Sequence, residues 1–326
     1  MKWGIMATGT IAVKFAETIA QMENEQVVVA CASRSLERAE AFREKFGIAR
    51  AYDSYEEMIQ DPDVEAVYIA TPNNLHYENC VMCLNAGKHV LCEKPFTINR
   101  KEGELLFKLA AQKGLFIMEA FWIRFLPTLQ KMQELIQKGA IGDVVWARSE
   151  YGFTADEARK ARKFDSALGG GALLDIGIYN LGFMRMVMGD TQPEAFSSQH
   201  HINEYGTDDF SSILLCYPGG KTACVTTSIG FSIARYAMIY GTAGSIRLDD
   251  FQHATKLYVQ PADKESYTIE FPEEINGFEY QIREVERCVK LGMTTSDILK
   301  PEDTLDILGL MDDIRASWDM KFACEK

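Results

Sequence analysis

The sequence predicts an α/β protein: an N-terminal doubly wound parallel sheet, followed by an α+β segment with a large, mostly antiparallel, open-faced sheet. Short apolar runs alternate with helical patterns over the first 120 residues, as they do when helices connect parallel strands. From about residue 192 to 271, β-branched runs are instead separated by turn residues. That pattern indicates antiparallel strands joined by short connections.

The elements of the first segment follow from the apolar periodicity. Strands are predicted at residues 2–7, 27–32, 65–70, 88–92 and 115–118. Helices between them are predicted at residues 10–21, 35–46, 54–60, 74–86 and 99–113. Asn99 is the expected N-cap of the last helix, with Glu102 in the capping-box position. Gly114 follows the end of that helix as a C′ glycine should.

The pattern changes near residue 120, so we predict two domains, at residues 1–120 and 121–326. The second domain is predicted to contain helices, strands and one polar surface segment, in this order: helix 126–138, strand 143–153, surface helix or loop 156–162, a helix from Gly169-Gly170-Gly171 to 188, strands over 192–271, and helices 277–291 and 303–320. We expect the last helix to pack back on the first domain.

The composition is that of an ordinary soluble globular protein. The 326 residues are 47% hydrophobic and 25% charged, and the length suits two domains. A net charge of −13 argues against nucleic acid or an anionic membrane as a partner. We find no apolar run near the ~20 residues that a membrane span needs.

The eight cysteines are expected to be free thiols in a reducing, cytoplasmic compartment. Cys31, Cys92, Cys216 and Cys224 lie in apolar runs and are predicted to be core residues. The pair Cys80 and Cys83 has C-x-x-C spacing without a second pair, whereas a zinc site usually needs four clustered ligands. The histidines at 200, 201 and 253 are scattered and predicted at the surface, so no metal site is expected.

A nucleotide-binding loop is predicted between the first strand and the first helix. The fingerprint G-x-G-x-x-G/A uses glycines for a tight turn and for close approach of the backbone to a pyrophosphate. Here Ala7 stands at the first glycine position, Gly9 at the second and Ala12 at the third. Ala7 fits such a turn only with a negative φ, which we therefore expect. The predicted contacts to the cofactor are Ala7, Thr8, Gly9, Thr10 and Ile11.

The end of the second strand favours NADP over NAD. NAD sites commonly place an acid there for the ribose hydroxyls, whereas a nearby arginine accommodates the extra phosphate of NADP. The tip, beginning at Ser33, has no acid, and Arg34 and Arg38 lie within reach. The alternative is that both arginines are simply solvated.

Two further loops follow the carboxyl ends of predicted strands, where open α/β sheets bind ligands. One begins Thr71-Pro72-Asn73 and leads to His76, which either touches the cofactor or supports Lys94, or is a packed core histidine. The other is Glu93-Lys94-Pro95, after the apolar run 89–92. The proline ends the strand and holds Lys94 in place.

These motifs together resemble the Gfo/Idh/MocA family of NAD(P)-dependent oxidoreductases. The segments 118–127 and 169–179 are similar to a branch that contains dihydrodiol and NADP-dependent D-xylose dehydrogenases. The resemblance covers essentially the whole chain. It implies a Rossmann domain, a C-terminal sheet that often pairs subunits, and catalytic roles for Lys94, Asp175 and Tyr179. Many members carry histidine where this chain has Tyr179.

The residue types suit hydride-transfer chemistry, in which the protein must orient the substrate and manage one proton. A cation beside a tyrosine lowers the pKa of its phenol and so favours the phenolate, the form that accepts a proton. Lys94 can also donate a hydrogen bond to the reacting oxygen. Asp175 and Tyr179 are four residues apart, so an α-helix would place them on one face. Asp175 then orients Lys94 or a substrate hydroxyl. The alternative is a helix-end carboxylate beside a packed tyrosine.

Three residues near these motifs have two readings each. Trp122 and Arg124 line the cofactor or join the two domains, and Phe153 borders the substrate or belongs to the core. The sequence thus predicts an NADP-preferring enzyme, with NAD as a second cofactor, acting on a polyol, sugar or cyclic diol as a dimer or tetramer. Redox-cycling lyases or hydrolases and a non-catalytic cofactor sensor are the alternatives.

Overall fold

A computed structural model describes residues 1–22, 26–156, 160 and 162–325. The chain forms two compact units: unit 1 contains residues 1–122 and 274–305, and unit 2 contains residues 123–273 and 306–326. Residues 274–305 thus return to the first unit, although they lie beyond the predicted boundary at 120. The division into domains 1–120 and 121–326, and the docking of the last helix, stay predictions. The predicted surface segment 156–162 falls largely outside the described residues.

Strands and helices alternate in the order expected for an α/β segment followed by an α+β segment. The strands are β1 Lys2–Met6, β2 Val27–Ala32, β3 Arg50–Tyr52, β4 Ala66–Ile69, β5 His89–Cys92, β6 Ile117–Glu119, β7 Val144–Gly152, β8 Ala195–Ile202, β9 Asp208–Cys216, β10 Thr222–Ser228, β11 Ile233–Gly241, β12 Gly244–Leu248, β13 Lys256–Pro261 and β14 Tyr267–Glu270. The helices are α1 Thr10–Gln21, α2 Leu36–Phe46, α3 Tyr55–Gln60, α4 His76–Asn85, α5 Arg100–Lys113, α6 Pro127–Gln137, α7 Ile178–Met188, α8 Phe278–Lys290 and α9 Pro301–Ser317.

Unit 1 has a doubly wound parallel sheet with the strand order β3-β2-β1-β4-β5-β6. This is the Rossmann order, whose ligand crevice lies beyond the carboxyl ends of β1 and β4. Four of the strands are almost wholly buried, as parallel strands covered by helices on both faces should be. The prediction missed β3, because its three residues contain no apolar run.

The caps of the helices in unit 1 follow the sequence signals. Asn99 accepts a hydrogen bond from the Glu102 amide at 3.0 Å, and Gly114 ends α5 with a left-handed φ of 64°, as predicted. Ser54 caps α3 in the same way, accepting from the Glu57 amide at 3.2 Å. Each cap fixes where a helix begins or ends, and so fixes the loops beside it.

Unit 2 has an eight-stranded sheet in the order β14-β13-β12-β11-β7-β10-β9-β8. All neighbours pair antiparallel except β7 and β10, which confirms the predicted mostly antiparallel sheet. One face is apolar and buried, with Ala147, Ile213, Val225 and Ile239 at its centre. Helix α7 packs against β7 and β10 on that face. Cys216 and Cys224 are half-buried, so predicting them as core residues was wrong: their parity along β9 and β10 turns them to the opposite face.

The helical stretch 166–188 is the core of unit 2. Among the described residues it is the one segment long and apolar enough to cross a membrane by length and composition, and 83% of its most apolar window is buried inside the protein. Burial on all sides is typical of a core helix. The prediction of a continuous helix from Gly169 needs correction, because Leu173–Gly177 forms a π-helical segment before α7 begins.

Candidate active site

The loop after β1 adopts the tight turn that the nucleotide fingerprint requires. Ala7 has φ = 73°, so the expectation of a negative φ was wrong. Its amide donates to the Ala32 carbonyl at 2.9 Å, which ties the turn to the end of β2. A left-handed alanine costs roughly 1 kcal/mol relative to glycine, and the hydrogen bond to Ala32 holds the turn in place.

The start of α1 is open to a ligand in the way a pyrophosphate site must be. Gly9 is the N-cap and offers no side-chain hydrogen bond to the first turn. A Cβ added at Gly9 would meet nothing within 4 Å, and Gly9 and Thr10 are exposed, with Thr8 and Ile11 half-buried. Free first-turn amides and the helix dipole favour an anion there, so residues 7–11 fit the pyrophosphate of a dinucleotide.

The tip of β2 presents basic residues, as predicted. Ser33 is buried, and its amide donates to the Tyr52 carbonyl at 3.1 Å. Arg34 and Arg38 are exposed, at the start of α2. Exposed guanidinium groups at this position are able to meet a ribose phosphate.

The Glu93-Lys94-Pro95 segment stands at the carboxyl end of β5 on a buried carboxylate. Glu93 is 6% exposed. It accepts hydrogen bonds from the Tyr68 hydroxyl at 2.5 Å and from the Lys94 amide at 3.2 Å. Burial raises the pKa of the Glu93 carboxyl, and Lys94 and those hydrogen bonds act in the opposite direction. Glu93 therefore fixes the backbone from which the Lys94 side chain emerges.

His76 joins the two predicted loops. Its ring is fully buried, with Nδ1 2.8 Å from the Pro95 carbonyl oxygen and Nε2 3.0 Å from the Thr71 carbonyl oxygen. Both partners are carbonyl oxygens, which accept hydrogen bonds, so His76 is the donor to the backbone on either side. Of the three interpretations of His76, the contact with Pro95 favours a support of the segment that carries Lys94, and contact with a cofactor stays a prediction.

The Thr71 loop is anchored beside His76. The Thr71 hydroxyl accepts from the side-chain amide of Asn79 at 2.9 Å, while Pro72 and Asn73 are half-buried. This loop follows β4, so its exposed edge faces the crevice at the carboxyl ends of the sheet.

Glu119 is a second buried carboxylate in unit 1 that the sequence analysis did not single out. It accepts from the Phe96 amide at 3.0 Å and from the Thr304 hydroxyl at 2.8 Å. Burial raises its pKa to about 7. Glu119 ties α9 to the residue after Pro95, so the Lys94 segment is held from both sides. A sequence separation of 185 residues hid the contact with Thr304, and the strand predicted at residues 115–118 stops one residue short of Glu119.

Trp122 and Arg124 follow β6. Trp122 is buried, with the Lys14 ammonium 4.5 Å from its ring centroid and the Phe278 ring 5.4 Å away, all within unit 1. The Arg124 carbonyl accepts from the side chain of Gln130 at 2.5 Å. Contact of either residue with a cofactor stays a prediction.

Asp175 and Tyr179 lie in unit 2, one helical turn apart at the junction of the π segment with α7. Tyr179 is 5% exposed, whereas Asp175 is half-buried. Asp175 forms a short ion pair with Lys163, a lysine that the sequence analysis did not consider. The wider turn of a π-helix is frequent at functional sites.

Aromatic side chains frame this ion pair. The Lys163 ammonium lies 4.9 Å from the centroid of Phe153, and Tyr151 lies 6.2 Å from Tyr179 and 6.4 Å from Phe153 by ring centroids. Phe153 is half-buried, so it borders the ion pair rather than the closed core. The sequence offers one signal for Lys163: it lies seven residues before Gly170, the middle residue of three consecutive glycines.

One cluster has metal-ligand spacing. Glu284, Cys288 and Asp297 bring ligand atoms within 4.8 Å of one another. Arg287 donates to both carboxylates, and the Ser296 hydroxyl donates to Glu284 at 2.5 Å. The cluster is thus an ion-pair network at the end of α8. Because Arg287 and Ser296 already donate to its carboxylates, we do not interpret it as a metal site.

The comparisons with known proteins agree with this architecture. Residues 1–121 match the profile described as "Oxidoreductase family, NAD-binding Rossmann fold", and residues 129–247 match the "GFO/IDH/MocA C-terminal domain". The trans-1,2-dihydrobenzene-1,2-diol dehydrogenases of mouse and human are similar at 36% and 35% identity, covering 100% of this chain and 99% of theirs.

Two solved structures are also similar to the chain. KijD10, a 3-ketoreductase from Actinomadura kijaniata in complex with NADP and TDP-benzene, superposes with a TM-score of 0.87 at 27% identity, covering 97% of each chain. The aldose-aldose oxidoreductase from Caulobacter crescentus, complexed with glycerol, gives a TM-score of 0.88 at 25% identity and 98% coverage of each chain. The family profiles, the full-length relatives and the sheet order agree: the chain belongs to the Gfo/Idh/MocA family of NAD-binding oxidoreductases.

Proposed function

We propose that the protein is an NADP-preferring dehydrogenase or reductase that acts on a carbinol or carbonyl carbon of a sugar or cyclic diol. The observation that carries the proposal is the arrangement around Lys94. Two buried carboxylates and a buried histidine fix its backbone at the carboxyl end of a Rossmann strand. A structural lysine needs no such support, whereas a reacting group must be held in a defined place.

The cofactor site is proposed to use residues on three loops of unit 1. Residues 7–11 hold the pyrophosphate, Ser33, Arg34 and Arg38 surround the ribose phosphate, and the Thr71 loop borders the rest of the dinucleotide. The nicotinamide, when bound, would accept or supply the hydride, because no amino-acid side chain can transfer one.

The proton is proposed to pass through Tyr179. In oxidation the Tyr179 phenolate accepts the proton of the substrate hydroxyl, and in reduction the Tyr179 phenol returns a proton to the same oxygen. Lys94 donates a hydrogen bond to that oxygen and stabilises the negative charge that develops on it. Asp175, paired with Lys163, orients the substrate beside Tyr179.

The substrate class is proposed from the relatives and from the aromatic frame of Asp175. The relatives are named for a cyclic trans-diol, and the solved structures for a 3-ketoreductase and an aldose oxidoreductase. Aromatic faces beside a carboxylate and an ammonium suit a ring that carries hydroxyl groups. We also propose a cytoplasmic location, in keeping with eight free cysteines.

The test is an assay of absorbance at 340 nm with a panel of aldoses and cyclic trans-diols, each with NADP and with NAD. We expect turnover of at least one aldose or diol, with a higher kcat/KM for NADP than for NAD. Turnover of no compound in either direction would contradict the proposal, as would a consistent preference for NAD.

A further inference from the structure

The Lys163–Asp175 ion pair is a feature of unit 2 that the proton transfer does not require. Tyr179 moves a proton without it, and the negative charge of Asp175 alone would serve as a hydrogen-bond acceptor. Yet the two side chains, 24% and 22% exposed, are neither buried in the core nor fully solvated. A pair in this position is able to exchange water for a ligand.

The backbone around Lys163 is built to hold this lysine in place. The Gly171 amide donates to the Lys163 carbonyl at 2.7 Å. A Cβ at Gly170 would lie 2.5 Å from that carbonyl oxygen, so only glycine allows the approach. Gly171 itself has φ = 110°, which favours glycine for a second reason. The glycine-rich segment therefore packs the Lys163 backbone against the start of the helix that carries Asp175.

Aromatic rings surround the polar groups of the ion pair. Phe153 lies under the ammonium at 4.9 Å, and Tyr151 lies between the rings of Phe153 and Tyr179. An ammonium offers three donors, and a carboxylate offers only acceptors. Side by side, they match a hydroxyl group that donates to one and accepts from the other.

We propose that the Lys163–Asp175 pair binds the non-reacting hydroxyl of a vicinal diol, next to the carbon whose oxygen Tyr179 serves, and so selects diols and sugars over simple alcohols. The inference rests on the proposed function and names its specificity-determining residue. Asp175 lies one helical turn from Tyr179, so a hydroxyl on the ion pair is adjacent to one on the phenol. A simple alcohol would leave the pair without its ligand, and an unmatched polar site discriminates strongly.

The test compares trans-cyclohexane-1,2-diol with cyclohexanol in wild type, Lys163→Met and Lys163→Arg. We expect Lys163→Met to lower the ratio of kcat/KM for the diol over the mono-alcohol by about 10- to 100-fold, the range for a charged hydrogen bond. The fall comes from the diol, with NADPH affinity unchanged. Lys163→Arg keeps charge and donors and should retain most of the ratio. Lys264→Met, an exposed lysine between β13 and β14, is the matched control.

An unchanged ratio in Lys163→Met, or equal losses for both alcohols, would overturn the inference. If the wild type turns over neither compound, the proposed function fails for this class, and binding decides the inference separately. Calorimetric titration of the diol should then show weaker binding by Lys163→Met than by wild type. Equal binding by the two proteins, or none by the wild type, would contradict the ion-pair site.

Discussion

The proposed preference for NADP rests on single residues at the tip of β2. Arg34 and Arg38 are exposed there, and they outnumber the one acid of the first turn of α2, Glu37, so a 2′-phosphate would find net positive charge. Arg34→Ala should weaken NADPH binding by about 10- to 100-fold, as for a lost charged hydrogen bond, and should spare NADH. Arg43→Ala, on the same helix but paired with Glu40 and Glu44, is the control. Fluorescence titration that shows equal losses for both cofactors would remove the basis for the preference.

The roles of single residues were predicted correctly where the residues that they contact are close to them in the sequence. Asn99 and Gly114 act as the caps that their positions indicate. Prediction failed where the surroundings matter: Ala7 takes a left-handed φ that its residue type disfavours, in a turn whose amide is bonded to the end of β2. Lys163 and Glu119 were missed because their partners lie on other elements.

At the scale of elements, the helix that carries Tyr179 starts on a buried carboxylate. Asp208 on β9 is fully buried and accepts from the Leu173 amide at 2.8 Å, while its Oδ1 has no hydrogen-bond partner among the described residues. That oxygen lies 2.4 Å from where a Cβ at Gly171 would stand. Burial raises the pKa of Asp208 from 3.8 to about 7, so the protonated form is the one that the fold favours.

The pKa of Asp208 predicts how stability depends on pH. Between about pH 4 and 7 the folded protein binds more protons than the unfolded chain, so the free energy of unfolding falls as the pH rises. Asp208→Asn removes the part of this fall that Asp208 causes, so at pH 8 it should be more stable than wild type by about 4 kcal/mol. The part that comes from Glu119, whose pKa is also raised, remains in the variant. Urea unfolding at pH 5 and pH 8 measures the difference, with the exposed Asp249→Asn as control. Equal pH dependence in wild type and Asp208→Asn would show that Asp208 is charged in the fold.

Element types were predictable because apolar period and length separate buried strands from amphipathic helices. Two elements were not. The strand β3 is too short to show a period, and the π segment Leu173–Gly177 has the same apolar content as the α-helix that follows it. Asp175 and Tyr179 were predicted to share one face on the assumption of a continuous α-helix. In the structure Asp175 lies in the π segment and Tyr179 in the α-helix after it, so the α-helical spacing alone does not describe their arrangement.

At the scale of the whole molecule, the outer face of the eight-stranded sheet is rich in aromatic and apolar side chains. Trp146 stacks on Tyr240 at 5.3 Å, and Leu214 and Tyr240 are 41% and 40% exposed. Large apolar patches are rare on monomers, so we propose that this face pairs two copies of the chain, in a dimer or within a tetramer. The sequence indicated this through Ile213-Leu214-Leu215-Cys216, which is apolar on both faces.

The pairing is tested by charge on the outer face. Leu214→Glu should convert the oligomer into a monomer, because a carboxylate cannot be buried there without a partner. Leu105→Glu, on α5 of unit 1 and 44% exposed, should leave the oligomer intact. Light scattering that finds the wild type monomeric at micromolar concentration would contradict the proposal.

Local sequence patterns could not predict which segments of the chain belong to which unit. Residues 274–305 return to unit 1, and their helix α8 packs against α1. The apolar stripe of α8 shows that it is buried on one face, but not which unit covers that face. The parallel sheet, the antiparallel sheet and the family were all predictable, since each depends on a pattern within a short stretch of sequence.

In the proposed mechanism, Lys94 and Tyr179 act together on the reacting oxygen. The direct measurement is kcat for wild type, Lys94→Ala, Tyr179→Phe and the double variant on any active substrate, with NADPH affinity measured in parallel. Each single change should lower kcat by about 10² to 10⁴, Tyr179→Phe should leave NADPH affinity nearly intact, and the double variant should lose little more than the worse single one. Near-normal turnover in Tyr179→Phe, or losses that multiply in the double variant, would contradict the claim.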